Sequence, residues 1–227
     1  MTDADRLADL AALLADGTRA GFCLALLDGR AWTAGELARH SGVAPSTATE
    51  HLNRLVAGGL LTEHRQGRHR YLRLSGAQVA TLLEELTAVA GPPVPVRGLR
   101  AAKVGEAMAR GRTCYDHLAG RLGVAITDAM TEAGYLDQTS GFALTAAGSG
   151  WLTGTLGATL KRGRVLARSC VDWTERRPHL AGAAGAAICE HFMDNGWVER
   201  IGTSRAVRPT DDGLVRLKEL LDLTFTG

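Results

Sequence analysis

Ten residues recur almost unchanged within the second half of this chain, and that recurrence restricts the fold more than any composition value does. Residues 117–126 read HLAGRLGVAI and residues 179–188 read HLAGAAGAAI, with seven of ten positions identical at an offset of 62. The likeness continues. Gly134-Tyr135-Leu136 answers Gly196-Trp197-Val198, Thr145 and Gly148 answer Thr210 and Gly213 after a short insertion, and Leu152 answers Leu217. Each copy reads as helix, Gly-aromatic-aliphatic strand, turn, second strand, Thr-x-x-Gly and helix. A unit of this size buries its apolar face against its sister. With two copies, a closed pseudo-twofold pair is expected rather than a solenoid. The Gly and Ala residues at 119, 120, 123 and 125, with their partners at 181, 182, 185 and 187, permit close backbone approach.

Ahead of the repeat, Gly91-Pro92-Pro93-Val94-Pro95-Val96-Arg97-Gly98 continues neither a helix nor a central strand and reads as a short, semi-rigid linker. The expected organisation is a first domain over 1–90, a linker over 91–98 and a second domain over 99–227, with repeat copies at about 112–160 and 174–223. The chain of 227 residues carries a net charge of only +2, so any nucleic-acid surface has to be a local patch. The start, Met1-Thr2-Asp3-Ala4-Asp5-Arg6, lacks a basic-then-apolar signal pattern. No apolar run approaches the ~20 residues that span a bilayer. The expected location is the cytoplasm, with Cys23, Cys114, Cys170 and Cys189 as reduced thiols.

The first domain carries a helix-turn-helix pattern. Leu7, Leu10, Ala11 and Leu14 follow the spacing of an amphipathic helix. A second helix runs from about Thr18 to Leu27, where Asp28-Gly29-Arg30 supplies turn chemistry. Thr33-Ala34-Gly35-Glu36 is a capping box that opens a short helix. Gly42 suits the positive φ of a tight turn, and Pro45 suits the first position of the next helix. There Ala48, Leu52, Leu55 and Val56 face a core while Ser46, Thr47, Thr49, Glu50 and Arg54 stay outside. Short hydroxyls at a helix start suit a helix lying in the major groove. The strands Leu60–Arg65 and His69–Leu74 flank the tip Gln66-Gly67-Arg68. Arg65, Arg68, Arg70 and Arg73 crowd this hairpin against a single Glu63, the pattern of a phosphate-contacting wing. Residues 77–90 form a further helix. Cys23, beside Leu26 and Leu27, reads as a core thiol.

Residues 5–90 resemble the ArsR/SmtB family of winged-helix repressors. The resemblance is carried by Leu14-Ala15-Asp16-Gly17-Thr18-Arg19, by Glu36-Leu37-Ala38, by Thr49-Glu50-His51-Leu52-Asn53-Arg54-Leu55, by Ala57-Gly58-Gly59-Leu60-Leu61 and by Gly67-Arg68-His69-Arg70-Tyr71-Leu72-Arg73-Leu74. It implies a homodimer joined through the first and last helices of this domain, an operator of double-stranded DNA, and repression released by an inducer. The expected DNA-contacting residues are Thr33, Ser46, Thr47, Thr49, Glu50, His51, Arg54, Arg65, Arg68, His69 and Arg70, with His51 open to either a structural or a phosphate contact. The sequence departs from the family's metal sensors. Glu36-Leu37-Ala38-Arg39-His40 holds no cysteine, and residues 77–90 hold no histidine or aspartate. A signal is therefore expected through the second domain.

In that domain Arg112, Cys114, Tyr115 and His117 precede the first repeated helix, and Cys170, Asp172, Trp173, Arg176, Arg177 and His179 precede the second. Helix starts with arginines suit an anion. Three readings stand open: a pocket for a small organic or anionic effector; a thiol switch or soft-metal or metalloid site using Cys114 and Cys170, with His117 and His179; and a purely structural, dimer-strengthening domain. No Cys-x-x-Cys or His-x-x-x-His spacing occurs, so no residue is named as a metal ligand and no cofactor is expected. No nucleophile elbow, phosphate loop or cofactor fingerprint suggests an enzyme. The expected fold is mainly α with small β-hairpin wings: an N-terminal winged helix-turn-helix and two repeated helix-hairpin-helix units, which also read as degenerate winged units. The expected function is a sequence-specific DNA-binding repressor.

Overall fold

Helix boundaries in the first half follow local capping chemistry. The computed structural model describes residues 1–91, 99–139, 141–161, 163–202 and 204–226, which fall into two compact units, Met1–Leu83 and Glu84–Gly227. The expected linker lies outside the described residues from 92 to 98. In the first unit α1 (Asp3–Leu14) begins at a Thr2/Asp5 capping box and α2 (Gly17–Leu26) at Asp16, whose side chain accepts from the Arg19 amide. Arg19, 8% exposed, turns back to donate to the Leu13 and Ala12 carbonyls at 2.6 and 2.8 Å, closing the end of α1. Buried Asp28 accepts from the Arg30 amide and from Trp32 Nε1, which sets the turn into β1 (Trp32–Thr33).

Thr33 and Glu36 form the expected capping box of α3 (Ala34–Ser41), and Gly42 ends that helix at φ 66°. Pro45 opens α4 (Pro45–Ala57), which buries Ala48, Leu52 and Leu55. The wing is β2 (Leu61–Gln66) paired antiparallel with β3 (His69–Leu74), and β1 adds to β3 to give the order β1-β3-β2. Phe22, Cys23, Leu26, Leu37, Leu52, Leu55 and Leu72, all fully buried, form the core. The boundary between the units falls within α5 (Ala77–Ala90).

The second unit continues with α6 (Leu99–Arg110), β4 (Arg112–Cys114), β5 (His117–Ala119), α7 (Gly120–Glu132), β6 (Leu136–Asp137), β7 (Ala143–Leu144) and α8 (Ala146–Gly150), which passes into a π-helical turn, Trp151–Thr155. It then runs β8 (Arg168–Val171), β9 (Pro178–Ala181), α9 (Gly182–Asp194), β10 (Val198–Arg200), β11 (Val207–Pro209) and α10 (Asp211–Leu221). Each β-pair is an antiparallel hairpin. α7 packs on β9 and α9 packs on β5, and their apolar faces share one core containing Leu118, Leu122, Ile126, Leu180, Ile188 and Phe192. No helix among the described residues is long and apolar enough to cross a membrane.

The repeated segments, read as helix from their first residues, put helix at His117 and His179. The structure corrects this. The histidines lie on strands, and the helices start three residues later at Gly120 and Gly182, where φ is 73° and 86°. That backbone suits glycine and turns an extended strand sharply into a helix. Thr145 and Thr210 each accept from the amide three residues on, capping α8 and α10, and donate back to the Gly134 and Gly196 carbonyls. Gly148 and Gly213 follow because an added Cβ would overlap the Tyr135 or Trp197 carbonyl oxygen.

Gly123 and Gly185 let each helix close onto its own preceding strand and onto the other copy: a Cβ on either would overlap the Leu118 or Leu180 carbonyl, and would stand 3.8 Å from His179 Cβ or 3.2 Å from His117 Cβ across the repeat. Gly185→Ala should lower the unfolding free energy by about 1–3 kcal/mol, read from the urea midpoint. Gly150→Ala, which has nothing within 4 Å, should leave that midpoint unchanged or slightly raised. Equal midpoints for the two variants would contradict the close approach.

Candidate functional site

Two groups of side chains have the chemistry of a site, one in each unit. In the first unit, Ser46, Thr47, Thr49 and Glu50 are exposed along the start of α4, with Ala48 between them in the core. Glu50 pairs with Arg54 one turn on at 2.7 Å, and Thr49 Oγ1 donates to the Pro45 carbonyl at 2.8 Å. At the wing, Arg65, Arg68 and His69 are exposed around Gly67, whose φ of 58° makes the tip. Several other expected contact residues are committed elsewhere. Arg70 pairs with Glu63 and donates to Asn53 Oδ1 at 2.8 Å, bracing the wing against α4. His51 is held inward, its Nδ1 3.7 Å from Asp16 Oδ1 and 3.4 Å from Arg19 Nη1. Thr33 is occupied in its capping box.

In the second unit the structure brings together four of the expected effector residues. Cross-strand register sets Cys114 opposite His117 in one hairpin and Cys170 opposite His179 in the other. Cys114 Sγ lies 3.8 Å from Cys170 Sγ and His117 Nε2 lies 3.1 Å from His179 Nε2. One ligand atom from each of the four residues falls within 4.8 Å of all the others. All four are buried. The sequence offers these four as a soft-metal or thiol site only as one of three open readings, because they are scattered and no Cys-x-x-Cys or His-x-x-x-His spacing joins them. The fold makes them one cluster, with one Cys and one His from each copy of the repeat.

Around the cluster stands a shell of carboxylates. Asp116 Oδ1 is 3.2 Å from His117 Nδ1, while its Oδ2 accepts from Arg164 at 2.6 Å. Asp172 Oδ2 is 3.6 Å from His179 Nδ1, which has no hydrogen-bond partner among the described residues. Asp172 accepts from the Gly120 amide at 2.6 Å, from Arg112 Nη2 at 3.0 Å and from both groups of Thr174. Burial alone would raise its pKa, but Arg112 and these donors outweigh that and hold it below the usual carboxylate range. Arg112 is itself enclosed, 0% exposed, with its guanidinium 4.5 Å over the Trp173 ring. It is therefore a structural cation, where the sequence suggests the wall of an anion pocket. Tyr115 and Arg176 occupy turn positions at φ 60° and 55°, and Arg177 pairs with Asp128 at the surface.

The thiols are not alike. Donation from the Cys114 thiol, with His117 and His179 adding theirs, draws Cys170 well below the usual thiol range against the effect of burial. Cys114 is pushed well up by burial and by the Cys170 sulfur. His117 is held above its ordinary value, since Asp116 and Cys170 outweigh its burial. Cys23 and Cys189 are pushed up to about 12 by burial. The signal that could have revealed the cluster is Arg112-Thr113-Cys114 against Arg168-Ser169-Cys170. The repeat begins there, but the second hairpin is longer, so the separation of equivalent residues jumps from 56 at the cysteines to 62 at the histidines.

The helix-turn-helix domain family matches residues 14–64. The chain is 36% identical over 222 residues to the uncharacterized HTH-type transcriptional regulator YdfF of Bacillus subtilis, covering 96% of this chain and 97% of that protein. It is 39% identical over 83 residues to the HTH-type transcriptional regulator CmtR of Mycobacterium bovis, covering 37% of this chain and 70% of that protein. Among solved structures it is similar to the homodimeric winged helix-turn-helix DNA-binding domain of a possible ArsR-family regulator from Mycobacterium bovis. That match has 30% identity and a TM-score of 0.36, over 40% of this chain and 87% of that one.

Asp172→Ala should leave the Arg112 charge buried and unpaired, lowering unfolding free energy by about 3–5 kcal/mol in a denaturant titration. Asp128→Ala, which removes only the surface partner of Arg177, should cost less than about 1 kcal/mol. Comparable losses for both would contradict the central place of Asp172.

Proposed function

The chain belongs to the HTH-type transcriptional regulators, and from that membership we propose that it is a homodimeric repressor of a double-stranded operator, released by an effector at the Cys–His cluster of its second unit. It is a DNA-binding transcription regulator. The observation that carries the operator reading is the pairing of two surfaces on one small unit. The exposed hydroxyl-rich start of α4 stands with an exposed arginine-tipped wing. Ser46, Thr47 and Thr49 present short donors and acceptors suited to base edges and phosphates, and Arg65 and Arg68 suit the flanking phosphate backbone. Arg70 and His51 support this surface from behind. The work is done in the cytoplasm, where the operator is.

An exposed apolar side chain supports the dimer reading. Leu7 on α1 is 67% exposed, and a second copy covering it would remove that surface from water. The two hairpin-helix-hairpin-helix copies of the second unit fit degenerate winged units that serve ligand binding. Cys114, His117, Cys170 and His179 are the centre of that site, with Asp116 and Asp172 orienting the imidazoles.

Binding to the DNA upstream of its own coding region should be detectable by fluorescence anisotropy at modest salt. Arg68→Ala should weaken binding to operator and unrelated DNA alike and reduce the salt slope by about 1. Thr47→Ala should weaken the operator selectively. A purified chain that binds neither fragment would overturn the reading, and sedimentation as a monomer at working concentration would overturn the dimer.

A further inference from the structure

The sulfur–sulfur and nitrogen–nitrogen separations in the cluster are those of a metal's ligands, and all four donor atoms lie within 4.8 Å of one another. A zinc ion bonded at about 2.3 Å to sulfur and about 2.0–2.1 Å to nitrogen, at tetrahedral angles, separates its two sulfurs by about 3.8 Å and its two nitrogens by about 3.3 Å. Here the sulfurs are 3.8 Å apart and the Nε2 atoms 3.1 Å apart. Two imidazole Nε2 atoms directed at each other share at most one proton between them, whereas a cation between them uses both lone pairs. The opposite ring nitrogens each face a carboxylate, Asp116 at 3.2 Å and Asp172 at 3.6 Å. The Asp116 hydrogen bond is the arrangement that fixes the tautomer and raises the basicity of a metal-bound histidine, and Asp172 stands just beyond hydrogen-bond distance of the second ring. His179 Nδ1, fully buried and without a hydrogen-bond partner among the described residues, carries its proton toward Asp172 in this scheme.

We propose that Cys114, His117, Cys170 and His179 form a closed tetrahedral site for a zinc-class divalent cation, which ties the two copies of the repeat to each other. Two thiolates and two neutral imidazoles balance a dication. Loading releases to water the Cys114 thiol proton and the proton held between the Cys170 sulfur and the facing imidazoles. Soft sulfur with imidazole selects zinc and its congeners over magnesium or calcium, which take oxygen. Exposures of 1%, 4%, 4% and 0% for the four ligands leave no open position for a reacting water, so the site holds and signals rather than hydrolyses. A Cys114–Cys170 disulfide is the competing use of the same sulfurs, but it leaves the facing histidines and their carboxylates without a role. Metal binding stands on this geometry alone. Only its effect on DNA rests on the operator reading above.

The test uses the full chain, stripped with a chelator, kept reduced and titrated with cobalt(II), then zinc(II). The expected result is one cobalt per chain, with the intense visible bands of a tetrahedral centre and a thiolate-to-cobalt charge-transfer band, both abolished by stoichiometric zinc. Cys114→Ser and Cys170→Ser should lose the spectrum, and Cys189→Ser should keep it. Because a ligand variant can fail to fold, alkylation of the wild-type chain is mapped by mass spectrometry with and without zinc. Zinc should protect Cys114 and Cys170 together. A weak octahedral cobalt spectrum, a spectrum that survives in Cys114→Ser, or equal alkylation with and without zinc would overturn the site. Loaded and stripped chains are then titrated with the upstream DNA, where a change of roughly tenfold in affinity is expected. Equal affinities with the cobalt spectrum intact would overturn the effector role and leave the metal site standing. Loss of DNA binding in both states would overturn the operator reading alone.

Discussion

The carboxylate of Asp172 is shut off from water and accepts from the Gly120 amide at the start of α7, from Arg112 on β4 and from Thr174 and Glu175 in its own loop. Those donors come from both copies of the repeat. Arg112 has no solvent to fall back on, so the pair is self-consistent only while both partners are in place. The stacked Trp173 ring closes one side of the guanidinium. The same carboxylate faces His179, so the geometry of the Cys–His cluster follows from an ion pair that also holds the two hairpins in register.

Around that pair, small residues do what larger ones could not. Gly123 and Gly185 let α7 and α9 approach the Leu118 and Leu180 carbonyls, and each lies against the Cβ of the other copy's histidine. Thr127, buried on α7, accepts from the Leu180 amide and donates to the Gly123 carbonyl, adding a polar tie at the same level. Backbone packing at the glycines therefore positions the imidazoles. The first unit is organised differently. Its elements begin at local caps, and its arginines include two that brace, Arg19 and Arg70, and two left at the wing tip, Arg65 and Arg68.

The sequence by itself determined most of the first unit, because its signals are local. The Thr33–Glu36 box, Gly42, Pro45 and the Gly67 tip act within a few residues, and the apolar spacing of α4 needs only helical geometry. It also showed that residues 117–126 recur as 179–188 in the second half, a repeat legible without any structure. Tertiary structure decided what the side chains do. Whether an arginine contacts DNA or a neighbour depends on partners distant in sequence, which is how Arg70 came to brace the wing and Arg112 to fill a buried ion pair. The cluster is the clearest case. Its cysteines are separated by 56 residues and its histidines by 62, a spacing that matches no local ligand pattern. Only the packing of one hairpin against its sister converts two unremarkable Cys–His pairs into four converging donors.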